Sequence, residues 1–241
     1  MTDFQMYRGD SLHINDHIIV RQPTIGEIID FGEERYFRVV AALCGTPSDY
    51  MVALDDLGLN FEELTDFQIF VMLSGGIPQE DTAIFLGDLD LRKFEYQLNP
   101  NDGTERLYDS ESGAVIDRAI YSQVVGFIRK MHFMKRNADK GGNEHTRRYL
   151  IDRERRRLRL EQNKKYKSVL FPQVSALCNC CDFPYNMDTV WQVHIFAFND
   201  SIRRIMKIRE VQALTAGIYA GTVDGKKIEQ ESLNWMRDLD M

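Results

Sequence analysis

The chain has 241 residues, with 30 Lys and Arg against 37 Asp and Glu, a formal net charge of −7 and a pI near 5.3. Hydrophobic residues make up 44%, aromatic residues 11% and charged residues 28%, with 16 Gly and 6 Pro. That composition excludes a disordered chain, which lacks the apolar surface to offset chain entropy, and a collagen-like chain, which needs far more Gly and Pro.

The length fits one large domain or two smaller ones. No stretch reaches the ~18 uncharged apolar residues that would span a bilayer. The longest uncharged runs, 168–181 and 211–223, contain Pro, Gln, Asn or Gly and read as buried helix pieces. The first ten residues, MTDFQMYRGD, have no basic segment followed by an apolar one, so no secretory signal is expected. Four cysteines, Cys44 and the cluster Cys178, Cys180 and Cys181, are too closely grouped for a disulfide framework and suit a reducing cytoplasm. Charge is unevenly spread. Residues 129–167 hold 15 Lys/Arg and 5 Asp/Glu. One segment of about +10 thus sits in a chain whose remainder carries about −17.

In chain order, residues 1–22 read as short extended pieces with a turn at Asn15-Asp16. Thr24-Ile25-Gly26-Glu27 is a capping box, with hydroxyl and carboxylate each reaching the other residue's backbone N–H. A helix follows it. Ile25, Ile28, Ile29, Gly32, Tyr36, Val39, Val40 and Leu43 share one face at 3.6 spacing, and Gly45-Thr46-Pro47 stops it. Residues 48–57 predict a short helix and 60–64 a turn or helix. The apolar run 67–73 predicts a core helix capped by Thr65 or Asp66 and ended at 75–78, with a strand as the alternative.

The period then shortens. Residues 83–86, 94–98 and 105–108 run near period 2, with turn signals at 99–103 and 109–113, which predicts an antiparallel β-hairpin or meander from about 83 to 116. Asp117 caps the next helix, whose stripe is Ile120, Val124, Phe127, Ile128 and Met131, and 140–143 breaks it. Residues 144–165 form a basic helix. Residues 168–181 predict an apolar helix with Pro172 near its first turn. Asn186 or Asp188 caps a long helix buried through Trp191, Ile195, Phe198, Ile202 and Ile205. Residues 213–223 continue as a further helix, Asp224-Gly225 turns the chain, and Leu233, Met236 and Leu239 mark a last short helix. The fold class is mainly α with a small antiparallel β insertion (α+β). Its parts are a helical segment 1–80, the insertion 81–116 and a helical segment 117–241, which are compatible with one continuous domain.

Candidate chemistry is sparse. The helix EHTRRYLIDRERRRLRLEQNKK carries Arg147, Arg148, Arg153, Arg155, Arg156, Arg157 and Arg159 around a thin apolar line of Leu150, Ile151 and Leu158. One reading is a phosphate-contact surface, since guanidinium forks neutralise phosphates and release counterions. The other is a solvated helix paired with its own Asp152, Glu154 and Glu161, or with acidic surface of the same protein or of another copy. The pI of 5.3 and the scarcity of stacking aromatics favour the second. The C-x-C-C cluster with His194 downstream lacks the knuckle spacing of a zinc site and reads as small hydrophobes buried on an apolar helix. His13, His17, His132 and His145 fall in no metalloprotease arrangement, and no nucleophile or deaminase motif occurs. Gly75-Gly76 and Gly141-Gly142 lack phosphate-loop spacing, and Asp88, Asp90 and Asp102 read as solvated turns. Trp235 and Tyr219 suit either a partner interface or packing of the terminus onto the core.

The stretch IIVRQPTIGEIIDFGEERYFRVVAAL resembles the start of small morphogenesis proteins from the tail modules of bacteriophages and prophages of Gram-positive bacteria. The segments FNDSIRRIMKI and GIYAGTVDGKKIEQESLNWMRDL resemble their C-terminal ends. Within that group the chain is most similar to the tail assembly chaperone family. The resemblance implies a soluble, largely helical, non-enzymatic protein of the bacterial host cytoplasm. It implies coating of the tape-measure protein while the tail tube polymerises around it. It also implies no cofactor, no metal and no catalytic residue. No membrane partner is expected, and a homo-oligomer is compatible. The rival readings are a structural virion component, such as a head–tail connector or baseplate part, and a nucleic-acid-binding module using Arg147 to Arg159.

Overall fold

The computed structural model describes residues 2–100, 102–162 and 164–239. More than half of the chain is helical; among the described residues there are ten α-helices and two small antiparallel sheets. The mainly α class with a minor β part is the architecture.

The N-terminus departs from the extended reading. Thr2 and Gln5 form a capping box that starts α1 (Asp3–Arg8), and Gly9 ends it at φ +89°. A side chain at Gly9 would collide with the His194 ring, so this position needs glycine for space as well as for conformation. A two-stranded hairpin follows, β1 (Leu12–His13) against β2 (Ile19–Val20). Its turn is held by Asn15, whose Oδ1 accepts from the His17 and Ile18 amides.

The Thr24–Glu27 capping box opens α2 (Ile25–Phe31) as the sequence predicts. The single long helix does not continue. Gly32 stands at φ +97°, and α3 (Glu33–Cys44) starts afresh beyond it. The break leaves Ile29 exposed while Tyr36, Val39, Val40 and Leu43 remain buried. Next come α4 (Met51–Asp56), a 3-10 turn at Phe61–Glu63, and α5 (Asp66–Ser74), started by a Thr65–Gln68 capping box.

Residues 83–86 are not a strand. They close α6 (Gln79–Leu86), where Thr82, Ile84, Phe85 and Leu86 are all buried. A run buried all round has no period to read, which is why its pattern misled. The meander is therefore shorter than 83–116: β3 (Glu95–Leu98), β4 (Glu105–Tyr108) and β5 (Val115–Asp117), in that spatial order. The register pairs Glu95 with Tyr108 and Leu107 with Ile116. Leu107 and Ile116 face the core, while Tyr96 and Leu98 are exposed.

Asp117 Oδ1 accepts from the Ile120 amide and caps α7 (Arg118–Met131), as predicted. This helix ends at His132, well before the 140–143 break, with Phe133 at φ 51°. The basic helix α8 spans Glu144–Glu161, short of residue 165, and Asn143 caps it. Then follow α9 (Leu170–Cys178), with Pro172 in its first turn, and a 3-10 turn at Val190–Gln192. The last helix, α10 (Ile195–Tyr219), is one unbroken element that absorbs much of 213–223. Asn186 caps only the turn before it, accepting from the Asp188 and Thr189 amides. Beyond Tyr219 the chain makes 3-10 turns at Gly225–Lys227 and Gln230–Leu233 rather than a last α-helix.

One large core draws on α1, β2, α2, α3, α5, α6, the meander, α7, α9 and α10. A second, small core forms from Met51 and Leu54 of α4, Phe61, Ile69 of α5 and Ile151 of α8. α5 serves both, turning Phe67 and Phe70 to the large core and Ile69 to the small one. The two ends of the chain are stitched together by backbone. The Ile25 amide donates to Val193 O and the Ile195 amide to Pro23 O, at 2.9 and 3.0 Å. Gln22 is buried between them, donating to Met6 O at 3.0 Å and accepting from the Phe196 amide at 3.2 Å.

Candidate interaction surfaces

The small core fixes α8 by its apolar line. Ile151 is buried and Leu150 half-buried against α4, whereas Leu158 and the helix beyond it are exposed. This anchoring sorts the seven arginines. Arg155 faces α4 and bonds Asp55 and Asp56, at 3.0 and 2.5 Å. Arg157 lies between Glu154 at 2.5 Å and Glu161 at 3.0 Å. Two carboxylates therefore hold each of these guanidinium groups, and both are raised further above the ordinary arginine range, chiefly by the hydrogen bond to Asp55 or Glu154 respectively.

Arg148 meets only Glu144, at 2.6 Å, and Arg153 only Asp139, at 3.4 Å, both pairs exposed. Among the described residues, Arg147, Arg156 and Arg159 have no carboxylate within ion-pair distance. Arg156 Nε donates to the Asp152 carbonyl at 3.2 Å. Four of the seven arginines thus pair with the protein's own acids. Among the described residues the other three, half-buried Arg147 and exposed Arg156 and Arg159, do not. Asp55 and Asp56 are the partners that sequence reading missed, because their contact with Arg155 spans a hundred residues.

A second surface was not legible. α1 lies across α10, and a groove of about 570 Å³ opens between them, lined by Phe4, Tyr7, Phe133, Phe196, Asp200 and Arg204. Phe4 is 89% exposed and Tyr7 52%. Phe133 and Phe196 stack at 5.2 Å on its floor, and Arg203 lies over the Phe133 ring at 4.3 Å. Lys130 pairs with Asp3 on the rim. Burial holds the Asp200 carboxyl above the usual carboxylate range, against the pull of Arg204 and Arg203. Arg204 donates to the Trp235 and Arg237 carbonyls at 2.6 and 2.9 Å, so the C-terminal turns pack against α10. Trp235 stays 46% exposed and Tyr219 88% exposed. The signal that could have found this groove is Thr2-x-x-Gln5 before an apolar residue, a capping box read as extended chain.

The cysteines do not sit together on an apolar helix face. α9 ends at Cys178, Cys180 is part-buried and Cys181 exposed. Arg209 donates to Cys180 Sγ at 2.9 Å. Cys44 is buried, which pushes its thiol up to about 12. Among the described residues no group of three or more His, Cys, Asp or Glu could hold a metal ion, and no helix is long and apolar enough to cross a membrane. His194 Nδ1 contacts the Gln22 carbonyl at 2.8 Å, a structural tie between the two halves of the chain.

A family model described as the YomV second domain matches residues 162–240, about a third of the chain. The match starts where α8 ends and takes in α9, α10 and the C-terminal turns. It is a domain of a phage-type (prophage SPbeta-like) protein, and it points to a phage origin. No curated protein and no solved structure matches the chain.

Proposed function

We propose that the protein is a non-enzymatic bacteriophage tail assembly chaperone that binds the tape-measure protein during tail morphogenesis. The phage-type likeness of residues 162–240 supports the setting. The observation that carries the mode of action is the groove between α1 and α10. It offers exposed aromatic side chains over an apolar floor, rimmed by charges of both signs. Such a surface suits the apolar stripe of an amphipathic helix, which aggregates if left uncovered. A tape-measure helix presents that stripe before the tube encloses it. Chemistry on the partner is not needed for this role; the binding is apolar contact with polar edges that fix orientation.

The test is co-expression of the tagged protein with tape-measure fragments from the same phage genome, followed by capture at low and high salt with nuclease added. Fragments held through salt and nuclease, and lost in Phe4→Asp, support the reading. Fragments released by salt, or held equally by Phe4→Asp, overturn it. Purified virions give an independent check: the protein in fixed stoichiometry there would make it a structural component instead.

A further inference from the structure

We propose that the outer face of α8 docks on the phosphate backbone of a nucleic acid, without reading its sequence. The proposal stands on the sorting of the arginines and is independent of the groove between α1 and α10. α8 is pinned by its inner side, so what it presents outward is set by the fold. On a wheel advancing about 100° per residue, Arg148, Arg156 and Arg159 share a sector about 80° wide, with Arg153 roughly 60° beyond it. All four are exposed, and the exposed Tyr149 lies between Arg156 and Arg153 on the same wheel.

Carboxylates are distributed in the opposite sense. Asp55 and Asp56 are engaged by Arg155, which turns toward α4, and Glu154 and Glu161 by Arg157, whose pairs lie along α8 itself. Asp152 alone interrupts the outer sector. The two outer arginines with partners, Arg148 and Arg153, hold one exposed carboxylate each. Exposed single pairs contribute little, so exchanging the carboxylate for a phosphate costs little. Lys164, Lys165 and Lys167 continue the positive surface past the end of the helix, and all three are exposed.

The partner follows from this charge and its form. The residues are arginines, whose planar forks fit phosphate oxygens in pairs. The row is about 16 Å long. A nucleic acid offers a charge every ~3.4 Å of each strand, so the arginines find phosphates in any register. The remainder of the chain carries about −17 and repels a polyanion. It therefore directs contact to this one face rather than preventing it.

The experiment is fluorescence anisotropy of the full chain with a labelled duplex and a labelled single strand, titrated from 50 to 200 mM salt. Four phosphate contacts predict a slope of log affinity on log salt of roughly −3 to −3.5, which is on the order of a 100-fold loss over that range. Arg156→Gln with Arg159→Gln should weaken binding on the order of 10-fold at 50 mM and lower the slope by about 2, whereas the Lys versions keep the slope. Arg155→Gln and Arg157→Gln, checked for folding by circular dichroism, should leave the slope unchanged; if they do not fold, the Gln and Lys pairs at Arg156 and Arg159 decide alone. No binding at 50 mM salt overturns the proposal. So does equal loss from the Arg155 and Arg157 variants, whose guanidinium groups two carboxylates each already hold, and from the Arg156 and Arg159 pair. Equal binding of polyglutamate assigns the face to an acidic protein instead.

Discussion

His132 shows how one side chain at a helix end sets a pH limit on this fold. Its Nδ1 donates to the Ile128 carbonyl at 2.7 Å, which fixes the tautomer, and its Nε2 accepts from the Tyr36 hydroxyl at 2.8 Å. Rings of Tyr36, Phe37 and Phe85 surround it. Burial lowers its pKa from 6.5 to about 4, with the bond to Ile128 pulling the other way. The folded state therefore holds a neutral imidazole that the unfolded chain protonates near pH 6.5. Stability from this group is complete above pH 6.5 and is lost as pH falls toward 4. The loss is about 2 to 3 kcal/mol. Melting temperature measured from pH 7.5 to 4 should fall across that window. The fall should be much smaller in His132→Gln, which starts from a lower plateau because Tyr36 loses its acceptor. A profile equally steep in the variant would remove His132 as the cause. The sequence placed this histidine next to Met131, the last residue of an apolar helical stripe, and in no metalloprotease arrangement. It could not show the Tyr36 bond, since the two residues lie 96 positions apart.

At the scale of elements, what was legible is what the chain decides locally. Thr24 with Glu27 and Asp117 with Ile120 place helix starts correctly, because a cap needs only neighbours three residues away. Thr65 was one of two caps read for α5, and it is the one used. The start of α10 was misplaced for the opposite reason. No side chain of its own caps it; Gln22 Oε1 and Pro23 O take its first amides from the other end of the chain. α9 is capped partly in this way: the local Ser168 hydroxyl accepts from the Phe171 amide at 2.8 Å, and the amides before it are taken by a distant residue. Glu33, the first residue of α3, accepts from the Ser168 hydroxyl and from the Val169 and Leu170 amides. Those bonds hold its carboxyl below the usual range despite its partial burial. Glu33→Ala should cost about 1 to 2 kcal/mol. Hydrogen exchange at Val169 and Leu170 should speed up more than at the centre of α9. Uniform acceleration along the helix would instead mean that the cap acts only through global stability. Gly32, just before it, tests the break in the predicted long helix. Its φ of +97° is open to glycine, and an added Cβ meets nothing closer than Arg35 Cβ at 3.9 Å. Gly32→Ala should thus destabilise by backbone strain alone, by about 1 to 3 kcal/mol, read as a drop in denaturant midpoint with an unchanged slope. An unchanged midpoint would mean that α2 and α3 straighten into the single helix that their shared spacing predicts.

At the scale of the molecule, the surfaces argued for both proposals depend on how far the chain behaves as one unit. The sequence suggested divisions near 80 and 116, and the family likeness begins at residue 162. The packing crosses all of these. Leu170, Val174, Phe196 and Phe198 from the matched segment share a core with Ile28, Tyr36, Phe85 and Ile128. Asn199 donates to the Met131 carbonyl at the end of α7, and Asp66 gathers Arg129 and Arg136 at the start of α5. A segment whose helix starts are capped by residues 22, 23 and 33 leaves those amides unsatisfied when it separates, and exposes the apolar face of α10 as well. Calorimetry should therefore show one transition in which the calorimetric and van't Hoff enthalpies agree. Among the described residues α4, the 3-10 turn at Phe61–Glu63 and α8 place their buried apolar side chains in the small core alone, so the amides of α4 and α8 should exchange first, from a local opening that leaves the large core intact. Two resolved transitions, with residues 162–239 melting apart from the rest, would show that the stitching through Gln22 and Glu33 is too weak to couple the ends. The groove between α1 and α10 would then be a joint between two bodies rather than a rigid receptor for a partner helix.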